Sequence, residues 1–285
     1  MSVNLTDAAV IAFDSDVKQE YQAMQTLRNT VTTRMNVTGE SYKFAAMGKG
    51  SASSRGVSSS DVVPMGVTYA RPTAVLDDYV APEYTDIFDQ AEVNFDERQE
   101  LVVCIAKALG RTEDQIIIDA IALGNYSLTP TYPNQGLSVV AAGAMDVAAL
   151  RAASTGLTAN NVDTSDRTII YTANALDSLL AEEEVTSSDY NTVKALVQGE
   201  IDTFLGFKHI VIDGRSEGGI PGAGTGAATA FAYHKAAVGY ANGIDMVTKI
   251  DWVAQKVSWL TNGCMKAGSV IRENGGIVQI TYDDQ

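Results

Sequence analysis

The sequence predicts an α+β fold, and three segments of the 285-residue chain support that prediction. Residues 39–82 have the pattern of a long two-armed ribbon with a Gly/Ser-rich tip. A long amphipathic helix follows directly and begins at Asn94. Residues 145–213 alternate helix-like and strand-like patterns, which is typical of one compact α/β unit. Hydrophobic residues make up 46% of the chain, which is enough for a substantial core.

The N-terminal segment has the pattern of a helical arm. Apolar residues recur every three or four positions over residues 8–28, from Val10 to Leu27, and this is the spacing of one helix face. Residues 30–38 are rich in β-branched side chains. We therefore expect a helix over residues 8–28 and extended chain after it.

The ribbon consists of two apolar arms, residues 40–47 and 62–71, on either side of a tip, residues 48–60, that has the composition of a linker. A two-stranded hairpin alone is marginally stable in water, so the apolar side chains of the arms need a surface from elsewhere. We expect a neighbouring subunit to provide it and to order the arms, while the tip varies with assembly state. Beyond the ribbon, Pro72 and Pro82 are unfavourable in a central strand, which predicts an edge strand or a turn.

The long helix has start and stop signals at both ends. Asn94 and Glu97 have the spacing of a capping box, and Asp96 and Glu97 suit the positive end of the helix dipole. Residues 124–125 are the stop signal. Gly110 in the middle costs about 1 kcal/mol relative to alanine, which leaves a kink or a break open. The predicted buried stripe consists of Leu101, Ile105, Leu109, Thr112, Ile116, Ala120 and Leu123.

The remaining elements follow from periodicity and turn residues. The predicted helices are 145–154, 173–184 and 190–204. The predicted strands are 167–172, 207–212, 229–233, 277–282 and a β-rich stretch over 246–260. Turn signals lie at 262–263 and 274–276, and a loop at 213–226 contains six glycines.

Charge and cysteine content restrict the class of protein. The net charge of −15 argues against binding nucleic acid through phosphate contacts. The acidity is concentrated in residues 61–100, which carry ten acidic and two basic residues. Cys104 and Cys264 lie among apolar neighbours and are expected to be buried thiols in a reducing compartment. We find neither a signal-peptide pattern nor a membrane-length apolar run, so we expect a soluble protein made in the cytoplasm.

No group of residues predicts an enzyme active site. The glycines of 219–226 lack the lysine of a phosphate-binding loop and precede a strand instead of a helix, which favours a flexible surface loop. His209 lies in an apolar strand pattern, which favours a packed core histidine, and with His234 makes only two histidines for a metal site. The acidic run 182–184 is best interpreted as a solvated helix end. We therefore expect no enzyme activity, no cofactor and no metal.

Taken in order, these parts resemble the major capsid proteins of tailed bacteriophages over nearly the full length of the chain. The matching stretches are 42–44 (YKF), 47–50 (MGKG), 81–90 (APEYTDIFDQ), 93–98 (VNFDER), 205–208 (LGFK) and 249–254 (KIDWVA). The resemblance implies the tailed-phage major capsid fold. Its parts would be an N-terminal arm at 1–38, an extended E-loop hairpin at 39–85, a P-domain with a long spine helix at 86–144, a compact α/β A-domain at 145–245 and return strands of the P-domain at 246–285.

The resemblance also implies a function and partners. The chain would assemble with itself into hexamers and pentamers of an icosahedral shell that encloses double-stranded DNA without sequence-specific binding. A portal and a separate scaffolding protein are expected, the latter because no long N-terminal helical extension is present; a decoration protein is left open. The protein would be made in the host cytoplasm and end in the virion capsid. The candidate subunit-interface residues are Tyr42, Lys43, Phe44, Lys49, Arg55, Tyr69, Arg71, Asp96, Glu97 and Arg98.

Two alternatives remain open at this stage. The nearer one is an encapsulin-like compartment of the same fold that holds a cargo enzyme. The distant one is a nucleotide-using α/β enzyme built on residues 145–226. Some members of the capsid family also join an E-loop lysine to an asparagine of the next subunit, and Lys43, Lys49, Asn262 and Asn274 are of the right types. That chemistry also needs a nearby acid in a dry pocket, so we expect no crosslink.

Overall fold

The computed structural model describes residues 22–59, 61–92, 97–131, 134–182, 203–212, 214–215, 217–224 and 226–284. Its helices are α1 (Ile87–Glu92), α2 (Glu97–Ala122), α3 (Val147–Ala159) and α4 (Ala173–Ala181). Its strands are β1 (Thr32–Arg34), β2 (Ser41–Lys43), β3 (Ala46–Met47), β4 (Tyr69–Ala70), β5 (Thr73–Val75), β6 (Asp77–Asp86), β7 (Tyr126–Ser127), β8 (Gly136–Val140), β9 (Arg167–Tyr171), β10 (Thr203–Phe204), β11 (Phe207–Val211), β12 (Ala227–His234), β13 (Val238–Val253), β14 (Ser258–Ile271) and β15 (Ile277–Asp283).

A four-stranded sheet in the order β1-β13-β14-β6 packs one face against α2. β6 lies at the edge of this sheet and contains Pro82, so the predicted edge position of this segment is confirmed. Proline suits an edge because it cannot donate a hydrogen bond to a further strand. β13 and β14 form a long antiparallel hairpin with two register shifts between Asn242 and Val247.

A seven-stranded sheet in the order β10-β11-β9-β12-β15-β8-β7 forms the second core together with α3 and α4. The predicted strands 167–172, 207–212, 229–233 and 277–282 are confirmed, as are the helices at 145–154 and 173–184, apart from their ends. All five residues of β9 are buried.

The strands differ from the sequence-based prediction at three places. Residues 203–204 form β10 rather than the end of a helix; residues 190–202 of that predicted helix lie outside the described residues. Residues 262–263 lie inside β14 and not in a turn. β15 pairs with β12 and β8 in the seven-stranded sheet. The predicted domain boundary at residue 246 instead places β15 in one domain with β14, which belongs to the four-stranded sheet. The domain boundaries themselves stay a prediction.

α2 is a continuous helix of 26 residues, about 39 Å long. It runs unbroken through Gly110 and ends before Gly124, whose N–H donates to the Ile121 carbonyl oxygen over 3.0 Å. The stop signal is therefore confirmed, while the cap residues Asn94 and Asp96 lie outside the described residues. The helix does not break at Gly110, and this glycine serves packing: a Cβ there would lie 3.2 Å from the Gln25 Cβ, where the N-terminal segment crosses the helix.

The buried face of α2 agrees with the predicted stripe only in its first half. Ile105 and Leu109 are buried as expected. In the second half the prediction is wrong, since Leu123 is 87% exposed and Thr112 and Ile116 are half-buried. The residues buried instead are Gly110, Glu113, Asp114, Ile117, Ile118 and Ile121. The buried face of α2 differs from the predicted one because the N-terminal segment covers a part of the helix that the sheet does not.

The N-terminal segment is not helical where the structure describes it. Residues 22–26 have no regular structure, and a single 3₁₀ turn follows at Arg28–Thr30. The predicted helix over 8–28 is therefore wrong for its last seven residues, and its first part lies outside the described residues. The amides of Thr26 and Leu27 donate to the Asp114 carboxylate instead of to the backbone carbonyls that a helix would provide.

Candidate subunit interface

The ribbon is paired at its base and open towards its tip. β2 pairs antiparallel with β5, and β3 with β4. The Gly48 N–H donates to the Thr68 carbonyl oxygen over 2.7 Å. Beyond that bond the described residues from 49 to 67 contain no strand. The two predicted arms are thus partners of each other, but only near the base.

The base of the ribbon is anchored in the chain's own core. Phe44 is 3% exposed and packs in a small cluster with Ala74, Leu76 and Ala241. Tyr42 contacts the Phe44 ring edge-on with centroids 4.9 Å apart. Of the candidate interface residues, Phe44 therefore has its side chain buried within the subunit, and Tyr42 is half-buried beside it.

The rest of the ribbon is exposed and combines apolar with basic side chains. The exposed apolar residues are Met47, Val57, Val62, Val63, Met65, Tyr69 and Val75. The exposed basic residues are the candidates Lys43, Lys49, Arg55 and Arg71. Val62 is the most open of the apolar set, with 89% of its surface exposed. Several large apolar side chains exposed on one projecting element are typical of a protein interaction site.

The other candidate group lies at the start of α2. Glu97 is half-buried, and its pKa is raised by burial and by the neighbouring carboxylates of Asp89 and Glu83. The Arg98 guanidinium lies over the Trp259 ring, 5.4 Å from its centroid, in cation–π geometry. Asp96 lies outside the described residues.

The two candidate groups are far apart within one chain. The base of the ribbon packs on Ala241 at one end of β13. Trp252, which contacts Trp259, lies towards the other end. At about 3.3 Å per residue, that stretch of β13 spans roughly 35 Å.

A complementary surface lies along β6 and α1. The exposed acidic residues there are Asp77, Asp78, Glu83, Asp89 and Glu92. Val80 and Phe88 on the same elements are 65% and 70% exposed. This edge therefore combines apolar with acidic side chains, where the ribbon combines apolar with basic ones. Sequence reasoning did not select this edge, although the concentration of acidic residues there was visible.

The glycine loop is anchored and not a free surface loop. The Gly218 N–H donates to Gln115 Oε1 on α2 over 2.7 Å, and the Gly224 N–H donates to Asp284 Oδ2 over 2.8 Å. Ile220 between them is 4% exposed and belongs to the main core. The prediction of a flexible surface loop is therefore wrong for residues 218–220, which are buried, whereas Pro221, Gly222 and Gly224 are exposed. The strand predicted after the loop is present.

His209 is a packed core histidine, as predicted. Its ring nitrogens lie 3.1 Å from the Tyr171 hydroxyl and 3.2 Å from the Phe204 carbonyl oxygen. Burial lowers the pKa of His209 to about 4.

We expect His209 to make the chain less stable in acid. Because the folded-state pKa lies below the ordinary 6.5, the unfolded chain takes up the proton first, and about 1.4 kcal/mol of stability is lost for each pH unit between 6.5 and 4. Urea unfolding of the unchanged chain and of His209→Gln at pH 4.5 and 6.5 measures this. The difference in unfolding free energy between the two proteins should change with pH; an unchanged difference would contradict the assignment.

The cysteines, the potential metal ligands and the helices are further features that bear on a binding or membrane role. Cys104 and Cys264 are free, as expected, but half-buried instead of fully buried. Within the described ranges, no group of three or more His, Cys, Asp or Glu side chains is placed to hold a metal ion. Among the helices described, none combines the length and apolarity needed to cross a membrane.

This fold is similar to those of known capsid proteins. The family model of the phage capsid protein matches residues 5–284. The capsid structure of the cyanophage P-SCSP1u is 16% identical, with a TM-score of 0.79 over 100% of this chain and 96% of that chain. The head structure of Helicobacter pylori bacteriophage KHP40 is 10% identical, with a TM-score of 0.80 over 100% and 99% of the two chains.

A chain from Mycobacterium phage Che8 is 15% identical, with a TM-score of 0.74 over 95% of this chain and 96% of that chain. Among curated proteins, no sequence is similar enough to count as a match. The family match spans nearly every residue, and the fold agrees with the tailed-phage capsid fold expected from the sequence. The chain belongs to the phage capsid protein family.

Proposed function

We propose that this capsid protein is the major shell subunit of a tailed phage and assembles into hexamers and pentamers around double-stranded DNA. The observation that supports this most is the ribbon, whose exposed apolar residues project from an anchored base. A monomeric protein has no evident use for such a surface, because exposed apolar area is normally covered by a partner. The family match supports a shell as the place where that partner is found.

The ribbon corresponds to the E-loop and lies on the β6–α1 edge of the next subunit. Lys43, Lys49, Arg55 and Arg71 would face acidic residues there, including Asp77 and Glu83. Opposite charges on two apolar surfaces favour one orientation of contact. The wide separation of the ribbon base and the start of α2 within one chain also favours a contact between two subunits. Tyr69, Glu97 and Arg98 remain proposed members of this interface.

The shell interior would hold DNA loosely. The net charge of −15 disfavours phosphate binding, which suits a container that fills and later empties. The chain has a structural role and no enzyme activity in this proposal. A portal and a separate scaffolding protein are its proposed partners, with assembly in the host cytoplasm. Neither the compartment with an enzyme cargo nor the nucleotide-using enzyme is favoured by the comparisons.

Electron microscopy of the purified full-length protein tests the proposal. Closed shells made of hexamers and pentamers are expected after co-expression with the scaffolding protein. A soluble monomer that binds nucleotide would overturn it, and a shell filled with an enzyme instead of DNA in infected cells would favour the compartment. Uniform, correctly sized shells from the chain expressed alone would contradict the separate scaffold.

A further inference from the structure

Residues 22–28 of the N-terminal segment lie along α2 and contact it at successive positions. Arg111 donates from its guanidinium to Gln22 Oε1 over 3.0 Å. Gln25 crosses Gly110, where an added Cβ would lie only 3.2 Å from the Gln25 Cβ. Further on, the segment meets two consecutive acidic residues, and we call Gly110, Glu113 and Asp114 the arm seat.

Asp114 holds the segment with a full set of hydrogen bonds. It is 0% exposed. Its two oxygens accept the Thr26 N–H at 3.2 and 3.1 Å, the Leu27 N–H at 3.0 Å and the Thr26 hydroxyl at 3.1 Å. Donors of this kind compensate a buried carboxylate. Burial still raises the pKa of Asp114, and the same hydrogen bonds oppose that shift.

Glu113 is equally buried but poorly compensated. It is 0% exposed, and no hydrogen bond of normal geometry reaches its oxygens from the described residues. The neighbouring Tyr240 hydroxyl still interacts with the carboxylate and opposes part of the rise in its pKa. Arg28 Nε lies 3.5 Å from Glu113 Oε1, which is too long for a good hydrogen bond. The same guanidinium is shared with Asp245, 3.0 Å away. A buried carboxylate with so little compensation is costly in its charged form.

We propose that Glu113 is a protonation switch that sets how firmly residues 22–28 are held in the arm seat. When Glu113 is neutral, the cost of burying a charge is absent and the segment stays closed over it. When Glu113 is ionised, the charge is stabilised by opening, because water then reaches the carboxylate. Arg28 moves with the segment, so opening also separates the one cation that pairs with Glu113 in the described structure.

The direction of the pH effect follows from the raised pKa. Burial raises the pKa of Glu113 to about 7, against the opposing effect of Arg28. A carboxyl that is harder to ionise in the closed state favours closure most strongly below its ordinary pKa of 4.5. Between pH 4.5 and 7 the opening equilibrium constant should rise about tenfold for each pH unit, and above pH 7 it should level off.

Other ionisable groups also surround the arm seat. Tyr240 and Asp245 face Glu113 from β13, and the pKa of Tyr240 is raised by burial and by Glu113. Arg215 and Tyr233 lie near Asp114, and burial raises the pKa of Tyr233. The pKa of Arg28 is also raised.

His209 is the group that could obscure the effect. It titrates over an overlapping interval, with the opposite sign, in the seven-stranded sheet. Global unfolding would therefore show partial cancellation of the two contributions. The test must follow the N-terminal segment itself.

Hydrogen exchange of peptides covering residues 22–31 in the full-length protein provides that test, from pH 5 to 8, with rates corrected for intrinsic exchange. Protection should fall about tenfold per pH unit up to pH 7 in the unchanged chain. Glu113→Gln should remove this slope, because its amide does not ionise. Asp119→Asn, which changes an exposed carboxylate of the same helix, should keep it.

A second variant keeps the proposal testable if Glu113→Gln fails to fold. Arg28→Gln removes the cation beside Glu113 and should extend the interval of falling protection to higher pH, because only the pKa of the closed state rises. Absence of pH dependence in the unchanged chain, or a slope that survives in Glu113→Gln, would overturn the proposal. So would an unchanged upper limit of the interval in Arg28→Gln. These outcomes concern the arm alone and are independent of shell formation.

Discussion

Replacing Val62, Val63 and Tyr69 together with serine is expected to abolish shell assembly while leaving the subunit folded. All three side chains are largely exposed in the single chain, so their loss should change the unfolding free energy by only about 0.5 kcal/mol each. At an interface, each would bury apolar area that contributes roughly 1.5 kcal/mol. Losing three such contributions should raise the protein concentration needed for assembly by roughly a thousandfold.

Sedimentation and electron microscopy measure the assembly, and thermal unfolding checks the fold. Leu123→Ser with Leu128→Ser is the matched control, since these residues are also apolar and exposed but lie outside the ribbon. The control should assemble normally. Normal shells from the ribbon variant, or equal loss in both proteins, would contradict a specific role for the ribbon.

Replacing Asp114 with alanine is expected to cause the largest loss of stability among single substitutions in α2. The change leaves the Thr26 and Leu27 amides and the Thr26 hydroxyl without their acceptor in a buried site. Removing one partner of a buried, charged hydrogen-bond network typically lowers the unfolding free energy by about 3–5 kcal/mol. Urea unfolding of the full-length chain measures that cost, and exchange over residues 22–31 should lose its protection.

Asp119→Ala provides the comparison for this change. Asp119 is an exposed carboxylate on the same helix whose hydrogen bond comes from Gln115, so its replacement should cost less than about 1 kcal/mol. If the two substitutions cost the same, Asp114 does not anchor the N-terminal segment.

Sequence reasoning succeeded where the signal is local. The apolar composition of 167–172 and 277–282 identified two buried strands, and the stop signal after Ala122 ended α2 at the right place. The ribbon was recognised because glycine and serine interrupt two apolar arms. These patterns depend on residues that are near one another in the chain, so they survive without knowledge of the fold.

Sequence reasoning was less successful where the role of a residue depends on a neighbour that is distant in the chain. Gly110 and Gly263 resemble a kink and a turn in the sequence, yet each allows another segment to approach: Gln25 in one case and Ile105 in the other. Phe44 was a candidate interface residue, and its burial came from β13, nearly 200 residues further along the chain. Close packing leaves the same sequence signal as flexibility or exposure, so neither glycine nor Phe44 could be assigned its packing partner from the sequence.

The sequence by itself determined the ribbon, the long helix and most strands of the seven-stranded sheet, because periodicity and turn residues are read along the chain. The capsid family was recognised from the sequence too, through stretches that resemble known members. Only the tertiary structure decided which face of α2 is buried and that two acidic residues belong to it. A carboxylate is normally assigned to the surface, since its burial is costly. Glu113 and Asp114 are buried because the N-terminal segment crosses them and brings its own donors, and no local pattern in the helix encodes that crossing.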